Sequence, residues 1–202
     1  MRKIPLIAGL IALVLAWSGL ATHFLPPFTA HMTMHMLVVA MAAPLLALAV
    51  AGTRFDPSPS AAFIFAPLPA SLWELAAVWG WHAPALHAFA RENAAGLVLE
   101  QASFLSAGVV LWLACIGARG GGAGTLGLLF TSMHMTLLGA LLALAPRALY
   151  AHTHFPTGGV SALEDQNLGG VVMLAIGGAV YLIGGLVLMG RLLNAPARME
   201  RG

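Results

Sequence analysis

Apolar runs of about 20 residues recur along this chain, set apart by short clusters of proline, glycine, serine and charge. Six are legible, at about 4–22, 31–51, 61–82, 94–117, 124–146 and 168–190. A helix needs roughly 20 apolar residues to cross the hydrocarbon core. Each run therefore predicts a transmembrane helix. Together they predict an all-α, polytopic helical bundle forming a single integral membrane domain over 1–202. Pro26-Pro27 breaks the first run from the second, Arg54-Phe55-Asp56-Pro57-Ser58-Pro59 the second from the third, and Arg119-Gly120-Gly121-Gly122 the fourth from the fifth. The longest connection, about 147–167, carries His152, His154, Glu164 and Asp165.

Composition agrees with a lipid solvent. The chain is 60% hydrophobic and 8% charged, with a mean hydropathy of +0.90, where a soluble domain carries about 25% charged residues. The nine Lys and Arg are spread thinly, so no basic patch points to nucleic acid. Their distribution sets an expected orientation. With the N-terminus cytoplasmic, Arg2, Lys3, Arg54, Arg119, Arg191, Arg198 and Arg201 lie inside, and Arg91 and Arg147 outside. That bias favours both termini in the cytoplasm and places His23, His31, His82, His87, His152 and His154 toward the outer face. The first run follows Arg2-Lys3 and could be read as a signal peptide. At about 17 apolar residues it is long for one, and retention as a helix is expected. Cys115 is the single cysteine, so no internal disulfide is possible.

The chemistry lies in histidines placed inside apolar sequence, where ionisable groups are costly and informative. His31-Met32-Thr33-Met34-His35-Met36 sets two imidazoles at i and i+4, on one helix face. Imidazole suits copper, zinc and iron, and thioethers add a preference for Cu(I). Met133-His134-Met135 repeats the theme in the fifth run, and Trp81-His82-Ala83-Pro84-Ala85-Leu86-His87 ends the third. The candidate ligands are His31, His35, His82, His134, Met133, Met135 and His87. Glu100, Gln101 and Asp165 are candidate partners that orient them, although Asp165 is equally placed to cap a helix. His134 should lie roughly 18 Å below Pro146 and His35 only about 6–7 Å below the outer surface, at 1.5 Å per residue. Either two sites lie in series, or the second helix starts deeper. Met34-His35-Met36 leading to Pro44, and Met133-His134-Met135 leading to Pro146, also hint at an inverted repeat. His31-Met32-Thr33-Met34-His35 lacks the glutamate of an H-E-x-x-H protease.

These pieces in order resemble the cytochrome c oxidase assembly factor family CtaG, of the caa3 type. The matching segments are His31-xxx-His35 with Pro44-Leu45-Leu46; Trp81-His82-Ala83-Pro84-Ala85-Leu86; Leu99-Glu100-Gln101-Ala102-Ser103-Phe104-Leu105 with Trp112; Met133-His134-Met135 with Gly139-Ala140; Leu149-Tyr150; and Glu164-Asp165-Gln166-Asn167-Leu168-Gly169-Gly170. The resemblance implies a multi-pass protein of the bacterial inner membrane. It would be a non-enzymatic helper that supports maturation of a haem-copper oxidase by supplying copper. Its implied partners are oxidase subunits and a periplasmic copper donor. The chain departs from the family pattern twice: Gln101 stands where a histidine is common, and His87 where a tyrosine is common.

Copper handling through His and Met ligands is thus the leading expectation, with Cu(I) as the ion. The alternatives are an intramembrane zinc hydrolase using Asp165 or Glu100, a b-type haem or quinone redox protein with His35 and His134 as axial ligands, and a metal-free structural chaperone.

Overall fold

The computed structural model describes residues 1–117, 121–150 and 159–194. His152, His154, Arg119, Arg198 and Arg201, which entered the expectations above, lie outside the described residues. Among those described, eight helices account for the regular structure and no strand occurs. They are α1 Lys3–Trp17, α2 Leu20–Phe24, α3 Pro27–Val50, α4 Pro67–Trp81, α5 Pro84–Glu92, α6 Ala94–Ile116, α7 Gly121–Ala143 and α8 Ala162–Leu193.

Four of these, α3, α6, α7 and α8, are long and apolar enough to cross a membrane. All six expected runs contain helix, and four of them reach spanning length. α1 stops at Trp17, because Ser18 turns back to the Leu15 carbonyl and Gly19 adopts a left-handed conformation with φ 73°. The third run loses its first third: turns occupy 61–66, and helix begins only at Pro67, whose missing N–H suits a first-turn position. α1 and α4 have 15 residues each, about 22 Å at 1.5 Å per residue. α8 overruns its expected start by about a turn and a half, since Ser161 and Glu164 form a reciprocal capping box there.

Both α3 and α8 contain a π turn, at Leu37–Ala42 and Met173–Gly177. In α3 the cause is local. Pro44 has no N–H for the preceding turn, and the Ala43 N–H reaches back five residues to the Val38 carbonyl. The widened turn leaves the Val39 carbonyl to accept from Tyr181 Oη at 3.2 Å, and the same hydroxyl meets the buried Glu74 carboxyl. Glu74, a buried acid on α4, is thereby partnered across three helices. The two π turns pair α3 with α8. The repeat expected from sequence instead related α3 to α7.

The bundle packs through small residues, as helices in lipid must when no hydrophobic gain separates tail from neighbour. α6 meets α3 where Gly108 faces Ala43, and α8 meets α7 where Gly170 lies against the Ala143 backbone. Long apolar side chains such as Ile4, Val14, Leu126 and Leu144 stand outward. The polar groups turn inward, most of them toward one end. That end holds the start of α3, the end of α4, all of α5 and the start of α6.

Candidate metal centre

α3 brings two histidines to this end. Pro26-Pro27 starts the helix, and its first N–H groups need an acceptor. No side chain of its own provides one. Asp165, from the first turn of α8, does. Its carboxylate accepts from Phe28 N at 2.9 Å, Thr29 N at 2.8 Å and the Thr29 hydroxyl at 2.7 Å. Asp165 thus caps a helix other than its own and holds α3 in register with α8. Among the described residues it pairs with no imidazole. Its hold on the site runs through the backbone that carries His31.

Four imidazoles follow one another through the interior. Ring centroids are 4.8 Å apart for His87 and His31, 5.8 Å for His31 and His82, and 5.3 Å for His82 and His35. All four are buried. His35 lies on the α3 face expected from the i, i+4 spacing, one turn deeper than His31, and its ring packs on Phe104 at 4.1 Å. His82 closes the C-terminus of α4, where its Nδ1 donates to the Val78 carbonyl at 2.6 Å. That bond assigns the ring proton to Nδ1 and leaves the Nε2 lone pair pointing into the interior without a partner. A second hydrogen bond, from Tyr150 Oη to the His82 carbonyl at 2.6 Å, fixes the backbone at this corner. Burial pushes the Tyr150 hydroxyl up to about 12, so it remains a donor. Tyr150 also stacks on Phe28 at 4.5 Å and touches the His87 ring at 4.6 Å, walling the cluster on its outer side.

A carboxylate completes the group. Glu100 is fully buried on the second turn of α6. One atom each from His31, His87 and Glu100 lies within 4.8 Å of the others. His31 Nε2 stands 3.9 Å from Glu100 Oε1. Gln101 turns its amide onto Glu100 at 3.2 Å and accepts from the Trp17 indole at 2.9 Å. It therefore tethers the carboxylate to α1 and does not reach an imidazole.

The remaining expected ligands stand elsewhere. His134 is buried on α7, nine residues or about 14 Å from the helix end. Among the described residues its ring contact is with Phe130, and none links it to His31, His35, His82 or His87. Met133 is 70% exposed on the lipid-facing side. Met135 is buried beside Met36 and Gly177, as a core packer. Among the described residues, imidazole nitrogen of His31 and His87 and carboxylate oxygen of Glu100 lie within 4.8 Å of one another.

One participant was read from sequence only as an outside charge. Arg91, in the last turn of α5, pairs with Glu100 through Nη2, and its Nη1 lies 3.2 Å from His31 Nδ1. The signal was present: a carboxylate within a span requires a partner, and Arg91 precedes Glu100 by nine positions. The corner between α5 and α6, closed by Asn93 Nδ2 on the Phe89 carbonyl at 3.2 Å, folds it back onto that turn.

Imidazoles without partners in a dry interior are expensive. A neutral imidazole carries one N–H that requires an acceptor, and burying an unsatisfied donor costs about 1–3 kcal/mol. Neither nitrogen of His35 has a hydrogen-bond partner among the described residues.

The profile of the cytochrome c oxidase caa3 assembly factor family matches residues 1–195, and the chain belongs to that family. No curated protein and no solved structure matches it significantly.

Proposed function

We propose that this assembly factor serves cytochrome c oxidase by holding copper at the His31, His35, His82, His87 and Glu100 cluster and releasing it toward the oxidase. The observation that carries the reading is the run of four buried rings, with lone pairs at His82 Nε2 and at His35 left without partners. Imidazole is an ordinary copper ligand, and two or three of them are enough for the low coordination number Cu(I) accepts. The bundle sits in the bacterial inner membrane with α1 and α4 as shortened spans, six in all. Both termini are cytoplasmic, and the cluster opens toward the periplasm, where a copper donor and the oxidase subunits meet it. The protein performs no reaction of its own.

The test is elemental analysis of the purified chain, with X-ray absorption at the metal edge to count nitrogen and sulfur ligands. One copper per chain with nitrogen-rich ligation is expected, and the His31→Ala/His35→Ala double variant should lose it. Unchanged copper content in that variant would refute the assignment.

A second reading has one observation in its favour. His31, His87 and Glu100 form the two-histidine, one-carboxylate set that catalytic zinc also uses. Zinc in the purified chain, with hydrolysis of a lipid amide, would replace copper handling by catalysis. A paired haem ligation by His35 and His134 has less support, since His134 keeps to Phe130.

A further inference from the structure

The geometry points to Arg91 as a built-in cation that occupies the outer part of the cluster and must withdraw before a metal ion can use His31 and Glu100. This rests on the cluster being a metal site, and concerns how that site opens.

Three features support it. The first concerns lone pairs. A guanidinium can only donate, so its Nη1 at 3.2 Å from His31 Nδ1 makes that nitrogen the acceptor. The ring proton then sits on Nε2, the atom facing Glu100 Oε1 at 3.9 Å. With Arg91 in place, His31 has its lone pair engaged on one side and a hydrogen on the other. Glu100 Oε2 is engaged by Arg91 and by Gln101. Of the three groups that could close around an ion, His31 is therefore taken by Arg91, and Glu100 keeps only Oε1 without a partner.

The second feature is charge. A metal ion bound between His31, His87 and Glu100 would lie a few ångströms from the guanidinium. Like charges that close repel strongly in a poorly solvated interior. The two cations compete for one carboxylate.

The third feature is access. The Glu100 side chain is fully buried, whereas that of Arg91 is 24% exposed. Arg91 is carried by the short, surface-lying α5 at its last turn. It can rotate outward without breaking a span, and Nε has no partner holding it. His35 and His82 lie beyond its reach and keep free nitrogen atoms. The inner pair would therefore hold an ion while Arg91 remains in place, and the outer set only once it has left. Exchange of Arg91 for a metal at Glu100 keeps the buried carboxylate compensated throughout.

The experiment measures affinity of the full chain in lipid nanodiscs for Cu(I), by competition with a colorimetric chelator, and for Zn(II) separately. Arg91→Gln should bind Cu(I) about tenfold tighter or more. Adding Glu100→Gln should remove that gain. Equal or weaker binding by a folded Arg91→Gln variant would overturn the proposal. The wild-type chain supplies an independent readout. Labelling of Arg91 by phenylglyoxal, followed by peptide mass spectrometry, should accelerate on copper loading. An unchanged or slower rate overturns the proposal even where the variant does not fold. The His31→Ala/His35→Ala variant separates the two claims. If it lowers copper binding while Arg91→Gln changes nothing, the metal site stands and the gate falls. If no variant binds metal, both fall.

Discussion

Asp165→Ala removes the acceptor that starts α3 and should be among the most damaging single changes in the chain. Asp165 receives two backbone N–H bonds and one hydroxyl bond, all between 2.7 and 2.9 Å, in a buried setting. Hydrogen bonds to a charged group contribute about 1.5–3 kcal/mol each. The three share one carboxylate, and water can reach part of the vacated end. We therefore expect a net loss of about 3–4 kcal/mol. The adjacent Glu164 is the internal control. It caps only its own helix, through Ser161, in an exposed position, and Glu164→Ala should lose far less. Denaturant or thermal unfolding in detergent micelles, followed by circular dichroism, measures the difference. Because the lost bonds anchor the turn before His31, copper affinity should fall with stability in Asp165→Ala, while the His35 end of the cluster persists. An Asp165→Ala variant as stable as Glu164→Ala would refute the argument that an acid on α8 caps α3.

Two other changes probe the frame of the site. Tyr150→Phe deletes the hydroxyl that bonds the His82 carbonyl. It should cost about 0.5–1.5 kcal/mol and loosen metal binding through His82 without abolishing it, as read by unfolding and copper titration. Gly170→Ala would place a methyl 2.4 Å from the Ala143 backbone nitrogen and 2.8 Å from the Gly139 carbonyl, with no flexible side chain to give way. Loss of the folded peak in size-exclusion chromatography is expected, and a well-folded Gly170→Ala would show that α7 and α8 are less closely docked.

The residues of the cluster were legible in unequal measure. His31 and His35 declared themselves because their spacing is a property of a single helix, and a helix is determined over a few residues. His82 and His87 were visible as polar positions at the end of an apolar run, and Glu100 as an acid inside one. Met133, Met135 and His134 were nominated on spacing alone, and the fold decides where such side chains point. Methionines flanking a histidine look alike in sequence whether the helix turns them to lipid or to the core, and rotation about the helix axis is set by neighbours. Arg91 and Tyr150 were passed over because each acts across a corner or a connection, where sequence distance says little about spatial distance. The shortening of α1 and α4 went unread because hydropathy averages over a window, whereas a helix ends at a single Gly19 or starts at a single Pro67.

The sequence by itself determined that this chain is helical, belongs in lipid and carries imidazoles it cannot leave alone there. Those follow from local physics: apolar length, helical period and the cost of burying a polar group. Tertiary structure decided which imidazoles meet, that Asp165 serves α3 and not its own helix, and that Arg91 lies across the mouth of the site. These depend on how helices rotate and dock. That is set by pairs of residues as distant in sequence as Gly108 with Ala43 and Gly170 with Ala143, whose fit no single segment contains.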